Sequence, residues 1–172
     1  RYRRRRRRRR GPVVLLGRDG EGLIVLVLDP TAVSFAGTRW EGVRFVQIDR
    51  RAARTAREQG DFGPFAGFVD VPEQRIGVRV EREVRGTELS MPNPGDLGEL
   101  SFEASTNASG AGAVRVRVVA VVTDVSYQVP GGASGAGRPA RRIVQFEAVS
   151  ADGSTDPMTV EPLHGAGIGG AS

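Results

Sequence analysis

The sequence predicts a mainly β protein: an antiparallel β-sandwich or barrel with one short α-helix and long hairpin loops. Three observations carry that prediction. Ile76, Val78 and Val80 alternate with Gly77, Arg79 and Glu81; Val114, Val116 and Val118 alternate with Arg115 and Arg117; Val144, Phe146 and Ala148 alternate with Gln145 and Glu147. Period-two patterning puts one set of side chains on a buried face and the other in water. Clusters of Gly, Pro, Asn and Asp punctuate these runs, as turns require. Finally, no long helical period separates the strands, and strands without crossover helices pair antiparallel.

Taken in chain order, residues 13–16 read as a short strand and residues 17–22 as a turn. Leu23, Ile24, Val25, Leu26, Val27 and Leu28 form a continuous apolar run that Asp29 and Pro30 stop. Two apolar runs split by an Asp-Gly turn predict a hairpin. A run apolar on both faces needs cover on both, at a sandwich centre or a subunit interface. It is the first candidate assembly element. Residues 33–35 and 43–48 continue the strand pattern, with Trp40 and Phe45 as core aromatics. Asp49 reads as an N-cap for a helix over about 50–59 that Gly60 ends. Its apolar face is only Ala52, Ala53 and Ala56, so it predicts a surface helix. Residues 76–84, 100–104, 114–122, 125–129 and 144–148 bring the count to eight or nine strands.

Three loops stand out. Residues 90–98 are turn-rich, and residues 105–112 are small and polar. Residues 130–140 join two convincing strands. Pro130, Gly131, Gly132 and Arg138 in that segment predict a long, mobile hairpin tip, a second candidate assembly element. At 172 residues the chain can bury a core without staples. The division it predicts is an arginine-rich arm over 1–12, a single β-sandwich domain over 13–162, and a flexible Gly/Ala/Ser-rich tail over 163–172.

Charge is divided between arm and body. The chain carries 25 basic and 20 acidic residues, net +5. Removing the nine arginines of the first ten residues leaves 16 basic residues against 20 acidic, or −4. Every basic residue is arginine. Arg1, Arg3, Arg4, Arg5, Arg6, Arg7, Arg8, Arg9 and Arg10 repel one another and stay hydrated, so the segment predicts a disordered or partner-ordered arm. Its targets are phosphates of nucleic acid, bound with steep salt dependence, or an acidic protein surface such as the body of another copy. No apolar stretch reaches the length of a membrane span, which predicts a soluble chain with no membrane partner.

The same residues offer little chemistry. There is no cysteine, and the one histidine, His164, lies in the glycine-rich tail, so neither thiolate metal sites nor a Ser-His-Asp arrangement is available. Asp152 and Asp156 superficially match a calcium loop but lack its later bidentate glutamate; a turn cornered by Asp152 and Gly153 explains the same letters. The glycines of 17–22 lack the dinucleotide-binding spacing. Asn107 sits in a glycosylation-type triplet without other support. Glu81 and Glu83, interleaved with Arg79 and Arg82, read as cross-strand ion pairs on a solvent face. No catalytic, cofactor-binding or metal-binding residue is assigned, and the sequence predicts a protein that is not an enzyme and needs no cofactor.

Four stretches resemble structural proteins of tailed bacteriophages and related particles. They are Gly42-Val43-Arg44-Phe45; Phe68-Val69-Asp70-Val71-Pro72-Glu73-Gln74 leading into residues 76–84; Pro92-Asn93-Pro94-Gly95-Asp96-Leu97-Gly98-Glu99-Leu100; and Phe146-Glu147-Ala148-Val149-Ser150-Ala151-Asp152-Gly153. Together they span residues 35–160 and are similar in strand-and-turn grammar to tail-tube-like β-sandwich modules. The resemblance implies a virion or phage-like particle subunit, assembled in the host cytoplasm, that stacks with copies of itself in a ring or tube. The alternative is a nucleic-acid-binding capsid or packaging protein that works through its arginine-rich arm.

Overall fold

A computed structural model describes residues 13–19, 22–28, 30–59, 66–84, 92–104, 112–129 and 139–163. Within them the chain is mainly β and antiparallel. The strands are β1 (Val13–Asp19), β2 (Gly22–Leu28), β3 (Thr31–Phe35), β4 (Thr38–Arg39), β5 (Val43–Gln59), β6 (Ala66–Val84), β7 (Leu97–Ala104), β8 (Val114–Gln128), β9 (Ala140–Ala148) and β10 (Met158–Pro162). They join one sheet in the order β1-β2-β5-β6-β9-β8-β7-β3-β4, with β10 on β8. The ladder is open, ending at β1 and β4.

The alternating valines build the core as their spacing requires. Val46, Val80 and Val144 are successive register partners on β5, β6 and β9, and none has any exposed surface. Ile48, Val78 and Phe146 form the next row. Leu100 and Phe102 on β7 face Val118 and Val116 on β8. Along β8 the inward set is even-numbered through Val122. A register shift between Val122 and Asp124 then turns Val125 toward the core. The extra residue of such a bulge reverses which side chains face inward, which is why the sequence reads this single strand as two.

The sheet curls strongly. The rings of Phe35 on β3 and Phe146 on β9 are 5.0 Å apart, although β7 and β8 lie between their strands. In a flat sheet three strand spacings would separate them by roughly 14 Å. Trp40 completes the cluster at 6.0 Å from Phe35 and 6.1 Å from Phe146. The Trp40 backbone N–H donates to the Val33 carbonyl at 2.8 Å. Residues 40–42 thus carry the chain from β4, at one end of the ladder, to β5 in its interior. Gly42 makes that passage with φ of 69°. A Cβ there would stand 3.4 Å from the Glu83 carbonyl oxygen, and the Gly42 carbonyl accepts the Glu83 N–H at 2.9 Å.

Two sequence expectations are corrected. Residues 50–59 are not a helix: they continue β5 as far as Gln59, paired with β6 back to Ala66. Ala and Arg are among the strongest helix formers, but intrinsic propensity is a small term per residue that a ladder partner overrides. Two strands were not anticipated, the two-residue β4 and the terminal β10. β10 lies end to end with β9 on one edge of β8, because β9 covers Ala120 to Gln128 and β10 covers Val114 to Val118. Residues 150–157 leave that line and return to it. The Val149 N–H on the Val119 carbonyl (2.9 Å) and the Val119 N–H on the Pro157 carbonyl (3.3 Å) bracket the excursion.

Candidate assembly surface

The most distinctive surface is a two-stranded ribbon. β2 covers β5 only as far as Arg51, and β9 covers β6 only from Gly77. Beyond those points, among the described residues, β5 and β6 pair with each other alone, from Ala52 opposite Gln74 to Gln59 opposite Ala66. Every described side chain from Ala53 to Glu58 and from Ala66 to Arg75 is exposed. These include Phe68 at 53%, Val69 at 54% and Val71 at 37%. An isolated two-stranded ribbon is marginally stable in water, so this one is held by the body at its base.

That base is pinned by charge. Arg50 donates to Asp156 at 2.7 Å, tying β5 to the excursion, and Arg75 lies 3.2 Å from Glu147, tying β6 to β9. The Arg50 guanidinium, together with the Met158 N–H, holds the Asp156 carboxyl below its ordinary range. Asp152 organises the excursion itself. Its Oδ1 accepts the Thr155 N–H (2.8 Å), the Ser154 N–H (2.9 Å) and the Ser150 hydroxyl (2.8 Å), and its Oδ2 accepts the Thr155 hydroxyl (2.7 Å). Donation from Thr155 above all holds this carboxyl far below the usual carboxylate range. Its acceptors are used inside the turn, the arrangement the turn reading requires.

An open groove of about 870 Å³ lies between ribbon base and excursion, walled by Val71, Pro72 and Ile76 on one side and Val149, Thr155 and Pro157 on the other. Its charged residues, Arg50, Glu147 and Asp156, are those that pin the ribbon. Among the described residues no cluster of His, Cys, Asp and Glu could hold a metal ion, and no helix is long and apolar enough to cross a membrane.

Cross-strand ion pairs form as the sequence indicates: Glu83 with Arg44, and Glu81 with Arg141 at 2.9 Å. The face is corrected for Glu81, which is 6% exposed and therefore buried rather than on a solvent face. Sequence reasoning also missed two buried arginines. Arg142, 2% exposed, donates to the Pro92 carbonyl at 2.9 Å and lies 5.5 Å over the Tyr127 ring. Its register partner Arg82 lies 5.5 Å over Trp40. They anchor the 92–96 turn and the Trp40 passage to the core. Arg142 sits two residues before Val144 on the inward alternation, and that parity was the available signal.

The other sequence candidates fall differently. Leu23, Ile24, Val25, Leu26, Val27 and Leu28 lie on β2, between β1 and β5, in the hairpin the sequence anticipates. Arg1, Arg3, Arg4, Arg5, Arg6, Arg7, Arg8, Arg9 and Arg10 lie outside the described residues, as do Pro130, Gly131, Gly132, Arg138, Asn107 and His164. The strands flanking 130–138 are paired with each other, Gln128 opposite Arg141. No protein-family model matches the chain, and no curated protein is similar to it.

Proposed function

We propose that this chain is a non-enzymatic structural subunit of a virion or phage-like particle, in a tail tube or another ring, that assembles with copies of itself. One observation carries the proposal: the β5–β6 ribbon leaves the body with its apolar side chains exposed. A ribbon whose described side chains from Ala53 to Glu58 and from Ala66 to Arg75 are all exposed adds surface without adding a core, and its use in this reading is contact with another subunit. The tail-tube-like resemblance of residues 35–160 points the same way. In this reading the curled sheet is an incomplete barrel, a rigid body from which the ribbon projects. β2 and the segment at 130–140 supply further contacts, and the particle is put together in the host cytoplasm.

The contrast between the arginine-rich arm and the acidic body favours a second reading, a capsid or packaging protein that binds nucleic acid through Arg1 to Arg10. Solution mass of nuclease-treated protein, with and without residues 1–10 and at low and high salt, separates the two. A ring or filament that survives nuclease, salt and loss of the arm is the expected result. A monomer that multimerises only with nucleic acid and only with the arm overturns the first reading in favour of the second.

A further inference from the structure

The ribbon has two outer edges, and neither has a ladder partner among the described residues. β2 stops covering β5 at Arg51, and β9 stops covering β6 at Gly77. Open edges are templates for another strand. These two also differ in charge. The β5 edge carries Arg54 and Arg57 against one acid, Glu58; the β6 edge from Ala66 to Gln74 carries Asp70 and Glu73 and no basic residue. None of these five side chains enters an ion pair among the described residues. On the body, by contrast, Arg44, Arg50, Arg75, Arg115, Arg117 and Arg141 all meet carboxylates.

We propose that the β5 edge of one ribbon pairs antiparallel with the β6 edge of the next copy's ribbon, Arg54 and Arg57 meeting the acidic stretch around Asp70 and Glu73. This deepens the assembly reading above and rests on it. Because the two edges differ, the contact is head-to-tail and generates a ring or an open filament rather than a two-fold dimer. Hairpins laid side by side in this way alternate strand direction throughout, so one continuous antiparallel sheet forms from successive ribbons. Phe68 and Val69, exposed in the single chain, then gain neighbours on the adjoining strand. Pro72 lacks an N–H, so a ladder along β6 has no donor at that position.

The test uses two charge-reversed full-length variants, nuclease-treated, with mass distribution measured against concentration at low salt. One carries Arg54→Glu and Arg57→Glu; the other carries Asp70→Arg and Glu73→Arg. Each alone places like charges at every contact, and each is expected to associate at least about tenfold more weakly than the wild type. An equimolar mixture restores opposite charges at every contact if the subunits alternate, and is expected to recover assembly. A chain carrying all four substitutions restores opposite charges both between copies and at the Arg54–Glu73 register pair within the ribbon, and is expected to assemble by itself. The mixture restores them only between copies, so wild-type assembly by either double variant alone, or failure of the mixture to recover, overturns the edge pairing while leaving self-assembly standing. A monomeric wild type overturns the assembly reading itself, and the edge pairing with it.

Discussion

Excising the ribbon should leave the body folded. Ala52 and Gln74 are register partners on β5 and β6, so an Asn-Gly pair can replace residues 53–73 as a two-residue hairpin turn. The described side chains among those removed are exposed, so little apolar burial goes with them. The net gain from solvent-exposed ladder hydrogen bonds is small and is opposed by the conformational entropy of ordering the residues that make them. Shortening the connection lowers the closure entropy, by about 0.6 kcal/mol for each halving of length. The expected net change in unfolding free energy is therefore within about 2 kcal/mol of zero. Phe146→Ala is the internal contrast. That ring is 2% exposed, 5.0 Å from Phe35 and 6.1 Å from Trp40, and truncating a buried phenylalanine costs about 3–5 kcal/mol. Against a typical total of about 5–15 kcal/mol, that is a large fraction. Urea unfolding of the two variants and the wild type, followed by far-ultraviolet dichroism, measures both changes. A loss of about 3 kcal/mol or more on excision would match a core truncation and refute the reasoning, because the ribbon would then be bracing the body.

Three further outcomes follow from local geometry. Gly98→Ala should destabilise by about 1–3 kcal/mol, since its Cβ would stand 2.9 Å from the Ala36 Cβ and 3.2 Å from the Phe35 ring; an unchanged denaturation midpoint would show that β3 can shift away from β7. Asp156 is held below the ordinary aspartate value of 3.8 by Arg50, so its contribution is full above about pH 5 and lost as pH falls through the depressed value. Asp156→Asn should therefore flatten the acid side of the stability–pH curve, and an unaltered curve would remove the Arg50 contact as its cause. In the isolated subunit the amides of residues 53–58 and 66–74 should exchange with solvent far faster than those of residues 76–82, and they should become protected on assembly; slow exchange in a monomer would contradict a ribbon held only at its base.

The body was largely legible because its burial is one-sided. Wherever one face meets the core and the other meets water, side chains must alternate, and residues 76–84, 114–122 and 144–148 do so without exception of class at the inward positions from Val78 to Val80, Val116 to Val122 and Val144 to Phe146. The bulge after Val122 broke the alternation and so divided β8 in the reading. β4 and β10 left weaker traces, being a two-residue strand and a mostly exposed one. The candidate surface was legible only in pieces. The Phe68–Val71 stretch was visible in the sequence, but nothing joined it to Arg50–Gln59 as the two sides of one ribbon.

The misread helix explains why. Residues 53–58 carry no alternation because all of their side chains are exposed; with no core to satisfy, Ala, Arg and Glu are free to look helical. Their strand conformation comes from outside the segment. The ladder set up by Val46 and Ile48 against Val80 and Val78 continues outward, and each added residue pair extends an existing register instead of nucleating a new one. Such a ribbon ends where extension no longer offsets the entropy of ordering it. The pairing persists to Gln59 and Ala66, through register shifts at Ala52–Arg54, Arg54–Ala56 and Glu58–Gln59 that add twist and weaken the ladder. A strand on either open edge would supply the hydrogen bonds the ribbon lacks, and the oppositely charged edges fit that role. The weakness of the local strand signal and the exposure of Phe68 and Val69 thus have one physical origin: no described part of this chain packs on the faces of the segment.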